Sequence, residues 1–97
     1  MFSILVHNCL NEVLHGLSHS SSVPRILERK AEIEELFEEW QASPRPELLS
    51  LHVSLIADVI EVVCSELGED EFQTRTGVDL DKARTFVNEL RTEGRRL

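Results

Sequence analysis

The chain has 97 residues, of which 41% are hydrophobic and 29% are charged. These proportions are close to those of ordinary globular domains, and they exclude a disordered tail and a membrane protein. By its length the chain forms one domain, so we expect residues 1–97 to fold as a single unit that buries about 60 to 65% of the surface of the unfolded chain.

The net charge of −8 is unevenly distributed along the chain. Residues 28–71 contain thirteen acids and three bases, whereas residues 72–97 contain four acids and six bases. An acidic chain attracts basic proteins and repels nucleic acid, so a basic protein is the expected partner. No Lys or Arg precedes Arg25, so the apolar start lacks the basic flank of a secretory signal and a cytoplasmic location is expected.

Two amphipathic helices are predicted in the first half of the chain. Residues 2–17 place apolar side chains at steps of three and four, and Gly16 with the serines that follow ends this helix. A second helix begins at Ser22, which caps it, with Pro24 in its first turn, and runs to about Gln41. The segment ASPRPE ends it, because a helix interior does not accept proline.

The third predicted helix, about residues 47–67, is nearly all apolar. At 100° per residue, its polar side chains fall within an arc of about 80°; they are Glu47, Ser50, Ser54, Asp58, Glu61 and Ser65. A helix that is apolar on its other sides must be surrounded, either by its own chain or by a second copy in a homodimer. Asp58 and Glu61 within one turn argue against a membrane span.

The C-terminal part of the chain predicts a short helix followed by a long one. Asp70 caps the short helix, which stops at Gly77, and Asp79 caps the last helix, which ends at Gly94. No stretch alternates with period two, so no sheet is expected. The predicted fold is all-α, a compact bundle of four main helices plus one short helix around the nearly all-apolar central helix at about 47–67.

The second predicted helix carries an acidic face in the segment EIEELFEEW. The candidate partner-binding residues are Glu28, Glu32, Glu35, Glu38 and Glu39. Like charges three and four residues apart cost about 0.2 to 0.5 kcal/mol each. Three pairs with cations offset part of this repulsion, and they are Arg25 with Glu28, Arg29 with Glu32, and Lys30 with Glu34. The remaining repulsion is small, so two interpretations stay open: a solvated face that keeps the protein soluble, or a face that docks on a basic protein.

Sequence motifs for metal binding and catalysis are weak. Glu12 and His15 have the spacing of one di-iron ligand pair, but a bundle site needs two such pairs, and the third helix offers Glu61 with Cys64 instead. Cys9 and Cys64 are far apart in the sequence and are expected to be small core residues. Because the chain also lacks a phosphate-binding loop and a nucleophile elbow, we expect no metal, no cofactor and no enzymatic activity.

The segment 71–91 resembles the helix-turn-helix unit of bacterial repressors. The likeness lies in the buried and turn positions of that unit, which are Phe72, Gly77, Val78, Ala83, Phe86 and Leu90. The resemblance implies DNA binding, with phosphate contacts from Arg75, Lys82, Arg84 and Arg91. The sequence departs from the family at Gln73, where a small buried residue is usual, and at Asp79 and Asp81, which would face phosphates.

The segments CLNEV and EFQTRTG look like stretches of small bacterial helical proteins of uncharacterised function. This resemblance implies an all-helical fold and no particular activity. The leading hypothesis is therefore a non-enzymatic protein-binding module, similar in size and charge to immunity or inhibitor proteins and to adaptors, that docks its acidic helix on a basic partner. DNA binding through residues 71–91 and a purely solvated acidic face are the alternatives.

Overall fold

The computed structural model describes residues 2–16, 28–42 and 51–96. Within these ranges it contains five α-helices and no strand, so the predicted all-α fold is confirmed. The helices are α1 (Phe2–Asn11), α2 (Lys30–Ala42), α3 (Val53–Glu66), α4 (Glu69–Thr76) and α5 (Leu80–Arg96). A π-helical turn, Glu12–Gly16, continues α1. None of the helices in the described ranges has the length and apolarity that a bilayer crossing requires.

Two helices, α1 and α3, form the centre of the bundle. α3 packs most extensively against α5 and also against α1 and α4, while α1 contacts α2, α3 and α4. The side chains that these two central helices and the π turn bury almost completely are Leu5, Val6, Cys9, Leu10, Val13, Leu55, Ile56, Ala57, Val59, Ile60 and Val63. The predicted centre was one helix, but α1 shares that position because its apolar stripe is as deeply buried as that of α3.

The predicted continuity of the third helix through His52 is wrong. His52 has φ −122° and ψ 30°, outside the helical region, and α3 begins at Val53. The first hydrogen bond of α3 runs from the Ile56 N–H to the His52 carbonyl, at 2.8 Å. Leu51, the residue before this break, is 75% exposed, so its side chain does not pack into the core. The predicted segment 47–50 lies outside the described residues.

From Val53 onward, the enclosure of α3 by protein is confirmed. Its apolar sides are covered by α1, α4 and α5 of the same chain. Burial of a Leu, Ile or Val side chain stabilises a fold by about 1.5 to 3 kcal/mol. α3 therefore contributes the largest share of the core through five such residues, Leu55, Ile56, Val59, Ile60 and Val63. A second copy is not needed to cover these residues.

The helix ends near α4 match the prediction in part. Gly77 has φ 73°, the left-handed conformation predicted for the end of the short helix. The Asp79 carboxylate accepts a hydrogen bond from the Asp81 N–H at 2.8 Å, as a capping residue should. Two predictions are wrong. The N-cap residue of α4 is Gly68 rather than Asp70, and α5 continues past Gly94 to Arg96.

In the first half of the chain, residues 2–16 and 28–42 can be compared with the prediction. The predicted helix 2–17 is confirmed as far as Gly16, with the π turn as its last part. The predicted start of the second helix at Ser22 and Pro24 lies outside the described residues. A turn at residues 28–29 precedes α2, whose first hydrogen bond joins the Ile33 N–H to the Arg29 carbonyl at 3.0 Å.

Candidate functional site

The acidic face of α2, defined as Glu28, Glu32, Glu35, Glu38 and Glu39, is exposed at all five positions. The opposite side of α2 is buried through Ile33, Leu36, Phe37 and Trp40. At 100° per residue, Glu32, Glu35 and Glu39 lie within about 60° of one another and form a single row along the helix, and Glu28 lies in the turn before it. Glu38 lies beside this row, so the face presents carboxylates along most of the length of α2.

Two cations at the start of α2 neutralise only one end of this surface. Arg29 contacts Glu32 at 3.2 Å, and Lys30 contacts Glu34 at 3.7 Å, as predicted. Arg29 also lies 3.6 Å from Asp58 on α3, which divides its charge between two carboxylates. The predicted pairing of Glu28 with Arg25 involves a residue outside the described ranges.

Four carboxylates of the acidic face have no ion pair with any residue that the structure describes, and they are Glu28, Glu35, Glu38 and Glu39. The last turn of α2 contains no basic residue. Because the carbonyl end of a helix carries partial negative charge, Glu38 and Glu39 add to a field of their own sign. Among the described residues, the C-terminal half of the acidic face is therefore the part of α2 with the most carboxylates that lack an ion pair.

The π turn helps to fix α2 against α1. The Phe37 ring lies 5.1 Å from the His7 imidazole and 6.5 Å from the His15 imidazole, measured between ring centroids. A π turn is wider than an α turn and rotates less per residue, so it brings His15 back toward the side of α1 that carries His7. Phe37 therefore packs beside two imidazoles, and α2 presents its acidic side to solvent.

Two of the four candidate DNA-binding cations are engaged within the protein. Arg75 contacts Glu12 at 3.0 Å and Glu71 at 2.7 Å. Arg91 contacts Glu61 at 2.6 Å and Asp58 at 3.0 Å. These contacts raise the pKa of both guanidinium groups, mainly through the hydrogen bonds to Glu12 and to Glu61. Arg75 joins α4 to the π turn, and Arg91 joins α5 to α3.

The other two cations, Lys82 and Arg84, are exposed on α5. The buried and turn positions of the helix-turn-helix resemblance are also present: Phe72, Ala83, Phe86 and Leu90 are buried, and Gly77 forms the turn. Gln73, where the family has a small buried residue, is exposed. The α4–α5 hairpin therefore keeps the packing of that unit, while half of the predicted phosphate contacts are engaged in internal ion pairs.

Both cysteines are core residues, as predicted. Cys9 is fully buried and Cys64 is 7% exposed, and both are free thiols. Burial raises the pKa of each thiol, while the nearby Arg84 guanidinium acts in the opposite direction on Cys64. Both groups are therefore protonated at neutral pH and are poor nucleophiles.

The glutamates considered for metal binding are engaged otherwise. Glu12 is paired with Arg75, and Glu61 is paired with Arg91. No group of three or more His, Cys, Asp and Glu side chains in residues 2–16, 28–42 and 51–96 is arranged to hold a metal ion.

Sequence reasoning missed the contacts that join helices distant in the sequence. Asp58 of α3 bridges Arg29, in the turn before α2, and Arg91 of α5, so one carboxylate connects three parts of the chain. The only available signal was the placement of Asp58 on the polar arc of an otherwise apolar helix, which indicated exposure but not its partners. Comparison of the chain with protein-family models, with curated proteins and with solved structures found no match, and the two sequence resemblances stay predictions.

Proposed function

We propose that this protein is a non-enzymatic binding module whose acidic face docks on a basic protein, in the manner of an immunity or inhibitor protein or of an adaptor. The observation that carries the proposal is the exposed set of carboxylates on α2 that have no ion pair with the described residues, namely Glu28, Glu35, Glu38 and Glu39. A concentrated patch of one sign accelerates and orients encounter with a surface of the opposite sign. The cytoplasmic location stays a prediction.

The position of the charges supports docking over simple solubilisation. A solubilising surface does not need its charges in one row, whereas Glu32, Glu35 and Glu39 follow one another on the same side of α2. The buried side of α2 packs on α1 and the π turn, so the row is held on a packed element. A prearranged row loses less conformational entropy on binding than charges on a flexible segment.

The test compares two triple variants with the same change in net charge. In one, Glu35, Glu38 and Glu39 are replaced by Gln; in the control, Glu69→Gln, Asp70→Asn and Glu89→Gln are combined, because these three acids are also exposed. Each variant is immobilised and used to capture purified basic proteins, nucleases and DNA-binding proteins among them, at low and at high salt. Docking through the acidic face predicts that the first variant loses capture and that the control retains it.

Two results would contradict the proposal. Equal loss by both variants would show that only net charge matters, and the acidic face would then be a solvated surface. Capture that does not decrease with salt would exclude an electrostatic contact, because interactions between exposed charges are screened over about 8 Å at physiological ionic strength.

A homodimer is a second proposal. The large hydrophobic side chains exposed in the described ranges are Ile4 at 62% and Leu51 at 75%. The core side chains of α3 are covered within the chain, so Leu51, which precedes α3, rather than α3 itself is the surface that a second copy would cover. Sedimentation equilibrium is expected to give the dimer mass, and replacement of Leu51 by Ser to give the monomer. The monomer mass for the unmodified chain would overturn this proposal.

DNA binding by the α4–α5 hairpin is the alternative proposal, and Lys82 and Arg84 are its available cations. A gel shift with mixed DNA fragments at low salt, repeated with Arg84→Ala, tests it. A shift that this substitution weakens would favour DNA binding, and the absence of any shift would end that alternative.

A further inference from the structure

A polar seam runs along one side of the contact between α3 and α5. At one end of it Arg91 contacts Asp58 and Glu61. At the other end, Glu61, Cys64 and Ser65 of α3 line a cleft together with Arg84, Val87 and Asn88 of α5. The two helices are therefore antiparallel along the seam. Arg84 lies about two helical turns N-terminal to Arg91 on α5.

The cleft between these helices has a volume of about 290 Å³ and is open to solvent on one side. Val87 and Cys64 are buried and supply apolar surface. Ser65 and Asn88 are exposed and supply neutral hydrogen-bonding groups. Four of the six lining residues are polar or charged, so the cleft combines a small apolar surface with several polar groups. Its volume limits a ligand to a compact one.

The two arginines of the seam differ in their partners. Arg91 has two carboxylates within 3.0 Å. Arg84 forms no ion pair with a residue of the described ranges, and the residue of α3 that lines the cleft with it at this end is Ser65. Glu61 also lines the cleft, but its carboxylate is bound by Arg91 at 2.6 Å. Arg84 is therefore the cation of the cleft without an ion-pair partner in the described ranges, while Glu61 shares Arg91 with Asp58 and keeps part of its negative charge.

We propose that this cleft binds a small monocarboxylate with a compact apolar group. The carboxylate pairs with the Arg84 guanidinium, whose planar arrangement of N–H donors matches two carboxylate oxygens. Ser65 and Asn88 donate hydrogen bonds to the same carboxylate, and the apolar group contacts Val87 and the protonated Cys64 thiol. Nearby Glu61 disfavours a doubly charged anion such as phosphate. This site is independent of the acidic face.

Benzoate and benzamide provide a matched pair of probes, since they have nearly the same shape and differ in charge. Each is titrated into the ¹⁵N-labelled protein, and amide shifts at Ser65, Arg84 and Asn88 are followed. Benzoate is expected to give saturating shifts at these residues, with an affinity about fivefold or more above that of benzamide. Inorganic phosphate is expected to bind more weakly than benzoate.

Two substitutions on α5 separate the cleft from general charge effects. Arg84→Gln is expected to weaken benzoate binding about fivefold or more. Lys82→Gln, which removes an exposed cation that does not line the cleft, is expected to change it by less than about twofold. Equal binding of benzoate and benzamide, an equal response to phosphate, or unchanged benzoate affinity in the Arg84→Gln protein would overturn the proposal.

Discussion

Two helices of this protein are acidic, but their charges are placed differently. α4 carries Glu69, Asp70 and Glu71 in its first turn and Arg75 in its last turn, so its charges oppose the partial charges of the helix ends. The last two glutamates of α2, Glu38 and Glu39, lie near its carbonyl end, and its last turn contains no base. The acids of α4 are thus compensated by the helix itself, whereas Glu38 and Glu39 of α2 lie at the end that disfavours them, with no base in the same turn.

The comparison shows that the number of acids does not identify a binding surface. Glu71 is paired with Arg75, which also binds Glu12 and joins α4 to the π turn. Within the described ranges, the ion pairs of the α2 glutamates occur at its N-terminal part, through Arg29 in the preceding turn and Lys30. The position of each acid relative to the helix ends and to nearby cations decides which helix can attract an external cation.

The largest expected effect is a loss in the free energy of unfolding when the phenylalanine that packs each acidic helix into the core is removed. Phe72 of α4 is fully buried, whereas Phe37 of α2 is 9% exposed at the edge of the core. Phe72→Ala should lower the free energy of unfolding by about 3 to 5 kcal/mol, and Phe37→Ala should lower it by less. Chemical denaturation measures both.

If Phe72→Ala does not fold, the milder Phe72→Leu and Phe37→Leu pair gives the same comparison. An equal or larger loss at Phe37 would show that α2 is anchored as firmly as α4, against this account.

The second effect is a gain in stability when the acidic face is neutralised. Replacing Glu35, Glu38 and Glu39 by Gln removes like-charge contacts three and four residues apart and two anions near the carbonyl end of α2. The free energy of unfolding should rise by about 1 to 2 kcal/mol at low salt. Urea denaturation at two salt concentrations measures it, and the gain should shrink at high salt. A loss of stability would indicate stabilising partners for these carboxylates.

The smallest effect should have the opposite sign. Glu69→Gln with Asp70→Asn removes two anions from the N-terminal end of α4, where the helix dipole favours them. The free energy of unfolding should fall by about 0.5 to 1 kcal/mol. The same chemical change would then stabilise the protein at α2 and destabilise it at α4. Equal signs at both helices, measured under identical conditions, would contradict the proposed difference between them.

Local sequence rules predicted the helices, most of the buried residues and some of the helix ends. Gly77 and Asp79 have their predicted roles because a left-handed glycine and a side-chain cap depend on neighbouring residues alone. Gly94 was expected to end α5, but the helix continues to Arg96, because a glycine within a helix costs only about 1 kcal/mol. The break in the helix at His52 was not predicted, because it depends on whether the Leu51 side chain packs into the core.

The candidate site was predictable in its residues but not in its pairing. The glutamates of α2 and their neighbouring cations could be read from spacings of three and four. The contacts of Asp58 with Arg29 and Arg91 join three parts of the chain, and no spacing rule gives such contacts. The same holds for the ion pair between Arg75 and Glu12, which reduces the cations available for the predicted DNA contacts.

The most direct test of the central claim is a titration of the ¹⁵N-labelled protein with a decalysine peptide at low salt. The account predicts that the largest amide shifts occur in residues 28–42 and that they weaken at high salt, because four carboxylates that have no ion pair with the described residues lie close together there. Shifts that are largest at Glu69, Asp70 and Glu71, or that are spread evenly over the acidic residues, would contradict it.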